Sequence, residues 1–361
     1  MRAKVQNITS TRTVYYYESR VLWINNARIL ACFVVVLLHV SAGVVTGIQN
    51  TDSAYWWIGN VFDSLSRWCI PVFVMISGML LLDKAKDEPL RVFYRKRLSR
   101  ILVPLLFWTL FYLLFRYFGE PLVHGKPVSI LTLAGSVLNG VPYAHLWYLY
   151  MLVGLYLLVP FLRKIAWHST RNELLFLCSA LFALSILGEV FISYYFNIDL
   201  PATFKFIFYL PYFLAGYLIS RTTFNPSALI LGMVFILSVA LTSVGYHYSL
   251  GPDGTSNGYF YQNLSITVAP MSISIMFLLK RFRVPIISPA FSDKLALLSL
   301  GVYLIHPFFL ELLNFFGLAA KSFNPLSAIP SIAILIFILA SIASLLISKI
   351  TLVNKIIGLR G

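Results

Sequence analysis

Long runs of apolar residues recur along the whole chain and are separated by short polar segments. Each run approaches the roughly 20 residues that an α-helix needs to cross the hydrocarbon core of a bilayer. The sixth run is short and the second is long, so a count one lower or one higher stays open. The pattern predicts about ten membrane-spanning helices, at residues 23–46, 56–82, 101–118, 145–162, 174–195, 206–220, 227–247, 263–280, 296–316 and 329–349.

Composition agrees with this pattern. The chain is 59% hydrophobic and only 11% charged, with a mean hydropathy of +0.82, which no soluble globular domain matches. We therefore predict an all-α fold, a polytopic transmembrane helical bundle. The predicted organisation is a polar N-terminal segment (1–22), one transmembrane domain (23–349) and a short tail (350–361). No small-residue cleavage site follows the first apolar run, which predicts an anchor that is not removed.

The distribution of Lys and Arg predicts the orientation of the chain. With the N-terminus in the cytoplasm, most of the 28 basic residues fall on the cytoplasmic side. The predicted outer segments then hold only Arg116, Lys126, Lys205 and Lys321. We expect both termini to be cytoplasmic. The same asymmetry explains the formal charge of +15 and makes nucleic acid an unsuitable partner, because no soluble domain exists to present a basic face.

Two basic residues, Arg28 and Arg67, lie more than one helical turn inside predicted spans, whereas the others within the span bounds lie at the span ends. Charged side chains at membrane depth are costly and usually face the bundle interior or a water-filled path, so each marks a candidate functional site. His39 follows Arg28 by eleven positions, which returns to within about 20° of the same helix face and rises roughly 16 Å. The spacing predicts one groove with Arg28 and His39 at its two ends. The alternatives are an Arg28 that extends to the headgroups and a His39 that is hydrogen-bonded in the core.

Other polar residues are predicted at the depth of His39. Asp63 and Arg67 are spaced i, i+4 on the second helix and can pair with each other. His306 lies near the middle of the ninth helix, with Glu311 further out. A carboxylate beside a histidine can fix its tautomer and raise its basicity. Which carboxylate contacts His39 is not readable from the sequence.

Five sequence features together are similar to the acyltransferase-3 family of integral membrane O-acyltransferases. They are Arg28-x10-His39, "PVFVMISGMLL" (71–81), "YRKRLSRILVP" (94–104), "HLWYLYMLVGLYLLVPFL" (145–162) and "SLGVYLIHPFF" (299–309). Within that family the chain looks closest to compact bacterial members that O-acetylate surface polysaccharides, among them the enterobacterial common antigen O-acetyltransferase. "FVMISG" departs from the more aromatic "FFxxSG" pattern of the family but keeps Ser77 and Gly78.

The resemblance implies a transfer of an acyl group, acetyl by expectation, from cytoplasmic acyl-coenzyme A (acetyl-CoA) to a hydroxyl of a cell-envelope glycan. The acceptor would be a lipid-linked glycan or polysaccharide, such as an O-antigen, common antigen or exopolysaccharide sugar. The protein would lie in the bacterial inner membrane. Acyl-CoA is then a donor substrate, and no permanently bound cofactor is expected.

The basic residues of the chain agree with coenzyme A as the acyl donor. The predicted cytoplasmic loop 91–100 concentrates basic side chains, which suit the phosphates of coenzyme A; they include Arg95, Lys96, Arg97 and Arg100. Anionic membrane lipid is the rival partner for the same cations. At Ser77 and Gly78, near the end of the second helix, a missing side chain could admit the pantetheine arm.

Candidate acceptor contacts lie at the predicted outer end of the bundle. Trp147 and Tyr148 begin the fourth span, where an aromatic belt is expected and stacking on an acceptor sugar is the alternative. Asp63 is a further candidate contact. The segment 119–144 is the longest outer connection and is rich in Gly and Pro, so we predict a lid or an acceptor-binding loop. His124 and His145 are expected to be solvated near this surface.

The predicted roles follow from these positions. His39 acts as general base on the acceptor hydroxyl or, as an alternative, takes the acyl group itself. Arg67 organises the polar core or stabilises an oxyanion, while His306 and Glu311 support the site. The in-membrane histidines lack the spacing of metal ligands, so no metal is expected. The cysteines, Cys32, Cys69 and Cys178, are expected to be packing residues.

The sequence leaves two other functions open. Broken apolar helices with charges near the midplane also describe transporters, so the chain could move a glycan precursor. It could also be a polysaccharide-export protein without transferase activity. Consumption of acyl-CoA distinguishes the enzyme from both.

Overall fold

The computed structural model describes residues 2–84, 88–119, 121, 125, 127–196, 200–251, 258–286 and 288–359, without the side chains of 2–21, 193 and 194. Within these ranges the fold is helical and contains no β-strand, as predicted. The helices are α1 (Arg2–Gly47), α2 (Ala54–Ser66), α3 (Cys69–Leu81), α4 (Leu90–Arg97), α5 (Ser99–Leu114), α6 (Ile130–Leu138), α7 (Trp147–His168), α8 (Arg171–Glu189), α9 (Phe206–Arg221), α10 (Ala228–Tyr248), α11 (Val268–Arg281), α12 (Pro289–Phe315) and α13 (Pro325–Ser348).

Eight helical stretches in the described residues are long and apolar enough to cross a membrane. They are Leu22–Gly47, Ala54–Leu81, Leu90–Gly119, Trp147–His168, Arg171–Ile192, Ala228–Tyr248, Pro289–Ser322 and Pro325–Ser348. Shorter helices, α9 and α11, occupy the other two predicted spans. The predicted start of the eighth span at 263 is wrong, because side-chain hydrogen bonds hold the residues before α11 in turns. Among them, Ser265 Oγ accepts from the backbone N–H of Val268 at 3.1 Å.

Helix α1 lies at the centre of the bundle. It contacts α2, α3, α11, α12 and α13, and its buried positions include Ala27, Ala31 and Val35, which follow one another at helical spacing. Arg28 and His39 both belong to this helix. A central helix with neighbours on several sides gives its polar residues protein partners instead of lipid.

The second predicted span is two helices rather than one. Helix α2 ends at Ser66 and α3 begins at Cys69, with a turn at Arg67 and Trp68 between them. Pro71 explains the break: proline has no N–H to donate to the carbonyl of Arg67, four residues earlier, and its ring conflicts with that carbonyl. Arg67 therefore lies at a helix end inside the bundle.

Gly78 serves helix packing, which corrects the expectation that it opens a path for the pantetheine arm. A Cβ added at Gly78 would lie 1.9 Å from the carbonyl oxygen of Phe213 on α9. A Cβ at Gly216 of α9 would lie equally close, 1.9 Å, to the carbonyl oxygen of Met75 on α3. The two glycines let the α3 and α9 backbones approach closely, as small residues do in membrane helices.

The predicted basic loop 91–100 is mostly helical. Its residues form α4 and the start of α5, which a break at Leu98 separates. Lys96 Nζ lies 3.1 Å from one oxygen of Glu88, and Arg97 Nε lies 4.0 Å from the other. Arg95 and Lys96 are exposed, whereas Arg97 and Arg100 are partly buried. The four cations therefore divide into an exposed pair and an inward pair.

The segment 119–144, which we predicted to lie outside, contains a helix that was not predicted from the sequence. The hydroxyl of Ser129 accepts from the N–H of Thr132 and caps α6. Ile130 and Leu131 of this helix are 71% and 84% exposed, which is typical of a helix lying at a membrane interface. Residues 120, 122–124 and 126, including His124, lie outside the described residues, and the lid role stays a prediction.

Candidate active site

His39 lies within α1 next to a backbone carbonyl of its own helix. Its Nδ1 is 2.8 Å from the carbonyl oxygen of Val35. A carbonyl can only accept a hydrogen bond, so Nδ1 carries the proton in this contact. Nε2 of the neutral ring is then the nitrogen with a free lone pair. This geometry gives His39 the tautomer that a general base acting through Nε2 needs.

His306 contacts His39 directly. Nδ1 of His306 is 2.7 Å from the carbonyl oxygen of Tyr303, and by the same reasoning carries a proton. Its Nε2 lies 3.4 Å from Nδ1 of His39, with ring centroids 4.9 Å apart at an interplanar angle of 68°. His306 is fully buried. The Nδ1–H of His39 is donated to the nearer acceptor, the carbonyl of Val35, so His306 is a second, more distant acceptor for the same proton and packs against the ring.

The orienting group of His39 is thus an imidazole together with a backbone carbonyl. In the described part of the chain, no acidic side chain forms an ion pair with His39. Glu311, the predicted supporting carboxylate, accepts a hydrogen bond from the hydroxyl of Tyr143 at 3.2 Å. The sequence left open which carboxylate contacts His39, and in the structure the side chain next to it is His306.

A cavity of about 400 Å³ lies beside His39. Its lining includes charged, aromatic and apolar side chains: His39, Arg116, Val141, Tyr143, Ala144, His145, Pro307, Leu310 and Glu311. Arg116 also donates from Nη1 to the carbonyl oxygen of Pro142 at 3.1 Å. His39 and Glu311 thus reach the same cavity, as the predicted site requires, and it is large enough for a small polar group.

His145 corrects the expectation of a solvated outer histidine. It is 1% exposed, and its ring lies 5.5 Å from that of His306. Further ring contacts join it to Tyr303 at 5.3 Å and to Tyr112 at 5.0 Å. It precedes the membrane helix α7 directly, which made the outer surface the expected location. Only the tertiary fold brings it to His306.

Arg67 and Asp63 form the predicted ion pair across one helical turn. Asp63 is 1% exposed, and the Arg67 guanidinium lies 3.7 Å from the centre of the Tyr261 ring. Arg67 also donates from Nη1 to the carbonyl oxygen of Tyr261 at 3.1 Å. The charge of Arg67 is close enough to act on His39. These contacts favour an organising role for Arg67, and a carboxylate already paired with a guanidinium is poorly suited to binding the acceptor.

The other end of the predicted groove gathers several donor-site candidates around Tyr156. The phenol of Tyr156 lies near the guanidinium groups of Arg97, Arg28 and Arg100. The hydroxyl of Ser77 lies beside this phenol and also beside that of Tyr148. The structure therefore brings together residues from α1, α3, α5, α7 and the end of α4. Arg95 and Lys96 lie outside this group on the exposed face.

Tyr148 corrects the expectation of an outer aromatic belt or acceptor contact. It is 5% exposed and lies close enough to Arg28 for electrostatic interaction. Its ring is 5.6 Å from that of Tyr303, which in turn is 6.0 Å from that of His306. These rings make the connection between Arg28 and the histidines, in place of an open groove. Trp147 is half-buried against Tyr209, with ring centres 5.9 Å apart.

The described residues contain no group of three or more His, Cys, Asp or Glu side chains that could hold a metal ion. The three cysteines are free and buried, in agreement with a packing role.

The model of the acyltransferase-3 family, described as an acyltransferase domain, matches residues 21–352. This match covers nearly the whole chain of 361 residues. The chain belongs to the acyltransferase-3 family. No curated protein and no solved structure matches it.

Membership in the acyltransferase-3 family makes the protein a membrane acyltransferase. Of the three clustered histidines, His39 and His306 were predicted as site residues from the sequence, and His145 was not. One signal was available, because His145 directly precedes Leu146 and Trp147 within a motif that carried the family resemblance. Its position before an apolar span made solvation the simpler interpretation.

Proposed function

We propose that this acyltransferase moves an acetyl group from acetyl-CoA to a hydroxyl of a cell-envelope glycan. The observation that carries the proposal is the contact of His39 with His306 beside a cavity, with both Nδ1 atoms bonded to carbonyls. That arrangement leaves Nε2 of His39 available as a base. The cavity supplies space for the acceptor beside it.

In the proposed transfer step, the acceptor hydroxyl attacks the thioester directly. Nε2 of His39 takes the proton of the acceptor hydroxyl while the hydroxyl oxygen bonds to the thioester carbonyl carbon. The carbon–sulfur bond then breaks, and the proton passes from His39 to the departing thiolate. The products are the O-acetyl glycan and free coenzyme A. The carbonyl of Val35 accepts the Nδ1–H of the protonated His39, and the Nε2 lone pair of His306 faces the same proton at longer range.

The donor is assigned to the end of the bundle that holds Tyr156. Arg28, Arg97 and Arg100 form a convergent positive group there, and guanidinium groups suit phosphate recognition. About 16 Å of helix rise separates Arg28 from His39, a distance that suits an extended pantetheine arm. The rings of Tyr148 and Tyr303 pack between Arg28 and the histidines, so we propose that they move aside when the arm binds.

The orientation of the chain indicates from which side of the membrane each substrate binds. The Lys and Arg distribution supports cytoplasmic termini, with the donor bound from the cytoplasm and the acceptor from the outer side. The inner membrane of a bacterium faces the cytoplasm, which contains acetyl-CoA, and carries lipid-linked glycans. We therefore place the reaction at that membrane, with a lipid-linked glycan or polysaccharide as acceptor. Membrane lipid surrounds the helical bundle.

Label transfer tests the proposal. Purified protein in detergent or vesicles is given labelled acetyl-CoA and a lipid-linked glycan isolated from cells that lack the protein. We expect the label to appear in the glycan, and His39→Ala to abolish this without lowering membrane abundance. Glycan movement across the vesicle membrane without label transfer would instead favour a transporter. Transfer at the normal rate by His39→Ala would refute the assignment of the base.

A further inference from the structure

His145 is a buried polar side chain in the wall of the active-site cavity. The carbonyl oxygen of Leu304 lies near its ring, but neither ring nitrogen makes a well-formed hydrogen bond to a described residue. That carbonyl already accepts a hydrogen bond of 2.7 Å from Tyr112. A buried polar atom without a good partner is costly, and such atoms in a native structure call for a ligand or water as an explanation.

The position of His145 indicates which ligand is concerned. It shares the cavity with His39, Arg116, Tyr143 and Glu311, and it lies away from the cluster of Arg28 and Tyr156 that we assign to the donor. Even if one N–H of His145 points to Leu304, the second nitrogen stays available. A group in this cavity would contact His39 and His145 together.

We propose that His145 hydrogen-bonds the acceptor glycan and positions the reacting hydroxyl next to Nε2 of His39. This inference rests on the proposed function and adds a substrate contact to it. The ligand chemistry is that of a polyhydroxylated sugar: His39, His145 and Glu311 offer acceptors for hydroxyl protons, and Arg116 offers donors. A single water, in contrast, would satisfy His145 without affecting transfer.

A matched set of variants separates this contact from ring packing. His145→Phe keeps an aromatic ring against Tyr112, Tyr303 and His306 but removes both nitrogens. His145→Gln keeps a hydrogen-bond donor and an acceptor but loses the ring. A residue that only packs would be replaced better by Phe, whereas a residue that binds substrate would be replaced better by Gln.

The measurement is acetyl transfer from labelled acetyl-CoA to envelope glycan isolated from cells that lack the protein, over a range of glycan concentrations. We expect His145→Phe to lower kcat/KM for the glycan by about 10- to 100-fold, as for the loss of one hydrogen bond to substrate. His145→Gln should retain more activity. Affinity for acetyl-CoA, measured by calorimetry, should stay unchanged in both variants.

The outcomes distinguish this inference from the proposed function. A wild-type protein that transfers no label contradicts the proposed function. An active wild type together with a fully active His145→Phe contradicts only the role of His145, as does a Phe variant more active than the Gln variant. If the Phe variant does not accumulate, His145→Leu gives the same test, and normal glycan kinetics in it would overturn the inference.

Discussion

Nε2 of His306 lies 3.4 Å from Nδ1 of His39, and Nδ1 of each ring lies beside a backbone carbonyl. The two imidazoles therefore share one tautomeric arrangement, with every Nδ1–H donated and the Nε2 of His39 left as the base. His306 takes the place that a carboxylate occupies in many acyl-transfer sites. It orients its partner without adding a negative charge to the membrane interior.

The His39 and His306 contact predicts the effect of replacing His306. His306→Phe keeps a ring at this position but removes the nitrogen that faces Nδ1 of His39. We expect kcat to fall by about 10²- to 10³-fold, within the range for general-base catalysis, while KM for acetyl-CoA stays the same. Steady-state transfer of labelled acetyl groups measures both values. An unchanged kcat would leave His306 with a packing role only.

The division of the basic segment predicts unequal contributions to donor binding. Arg97→Ala combined with Arg100→Ala removes two of the charges that converge near Tyr156. We expect weaker binding of coenzyme A, with a loss that shrinks as salt is added, because salt screens charge interactions. Calorimetry at two ionic strengths measures this.

The matched control for donor binding is Arg91→Ala combined with Lys164→Ala. Both residues are exposed, and the change in net charge is the same. The control should bind coenzyme A as the wild type does. Equal losses in the two double variants would indicate a general effect of positive charge, such as contact with anionic lipid.

The close approach of α3 and α9 predicts that Gly78 tolerates no side chain. In Gly78→Ala the new Cβ would overlap the carbonyl of Phe213, which is backbone and cannot move aside cheaply. We expect a loss of stability of about 1–3 kcal/mol, seen as a lower midpoint of thermal unfolding in detergent. Gly43→Ala is the control, because no atom lies within 4 Å of a Cβ there. Equal midpoints for both variants would contradict this packing.

The Asp63 and Arg67 ion pair predicts a rescue. Arg67→Leu alone leaves the buried Asp63 carboxylate without its cation, and breaking a buried pair in this way costs about 3–5 kcal/mol. We expect low membrane abundance for Arg67→Leu and restored abundance when Asp63→Asn is added. Transfer assays on the double variant then decide the role of Arg67. Normal activity would confine it to organising the polar core, and a loss of activity in the folded protein would assign it to catalysis.

The sequence predicted the fold class because the length and hydropathy of a membrane span are local properties. The predicted span 56–82 is confirmed as the apolar helical stretch Ala54–Leu81, but the break inside it was not predicted. Pro71 divides the predicted span 56–82 at Arg67, and hydropathy averaged over a span does not register this. Helix α6 was missed because nine residues are too few to span a membrane.

For the active site, the spacing of eleven residues along one helix was enough to place Arg28 and His39 on a shared face. Contacts between helices depend on how the bundle packs, which no spacing encodes. The sequence could not show that His39 meets His306 rather than a carboxylate. It could not show that Tyr148 is buried near Arg28 instead of lying at the outer surface.

The sequence by itself determined the class of fold, because the hydropathy of each span is written along the chain, and its motifs carried the resemblance to the family. Helical spacing placed Arg28 and His39 on one face of α1. Only the tertiary structure decided the histidine cluster, the cavity beside it and the packing role of Gly78. These features join residues far apart in sequence. Their positions follow from the packing of whole helices against one another, in which each side chain depends on its neighbours.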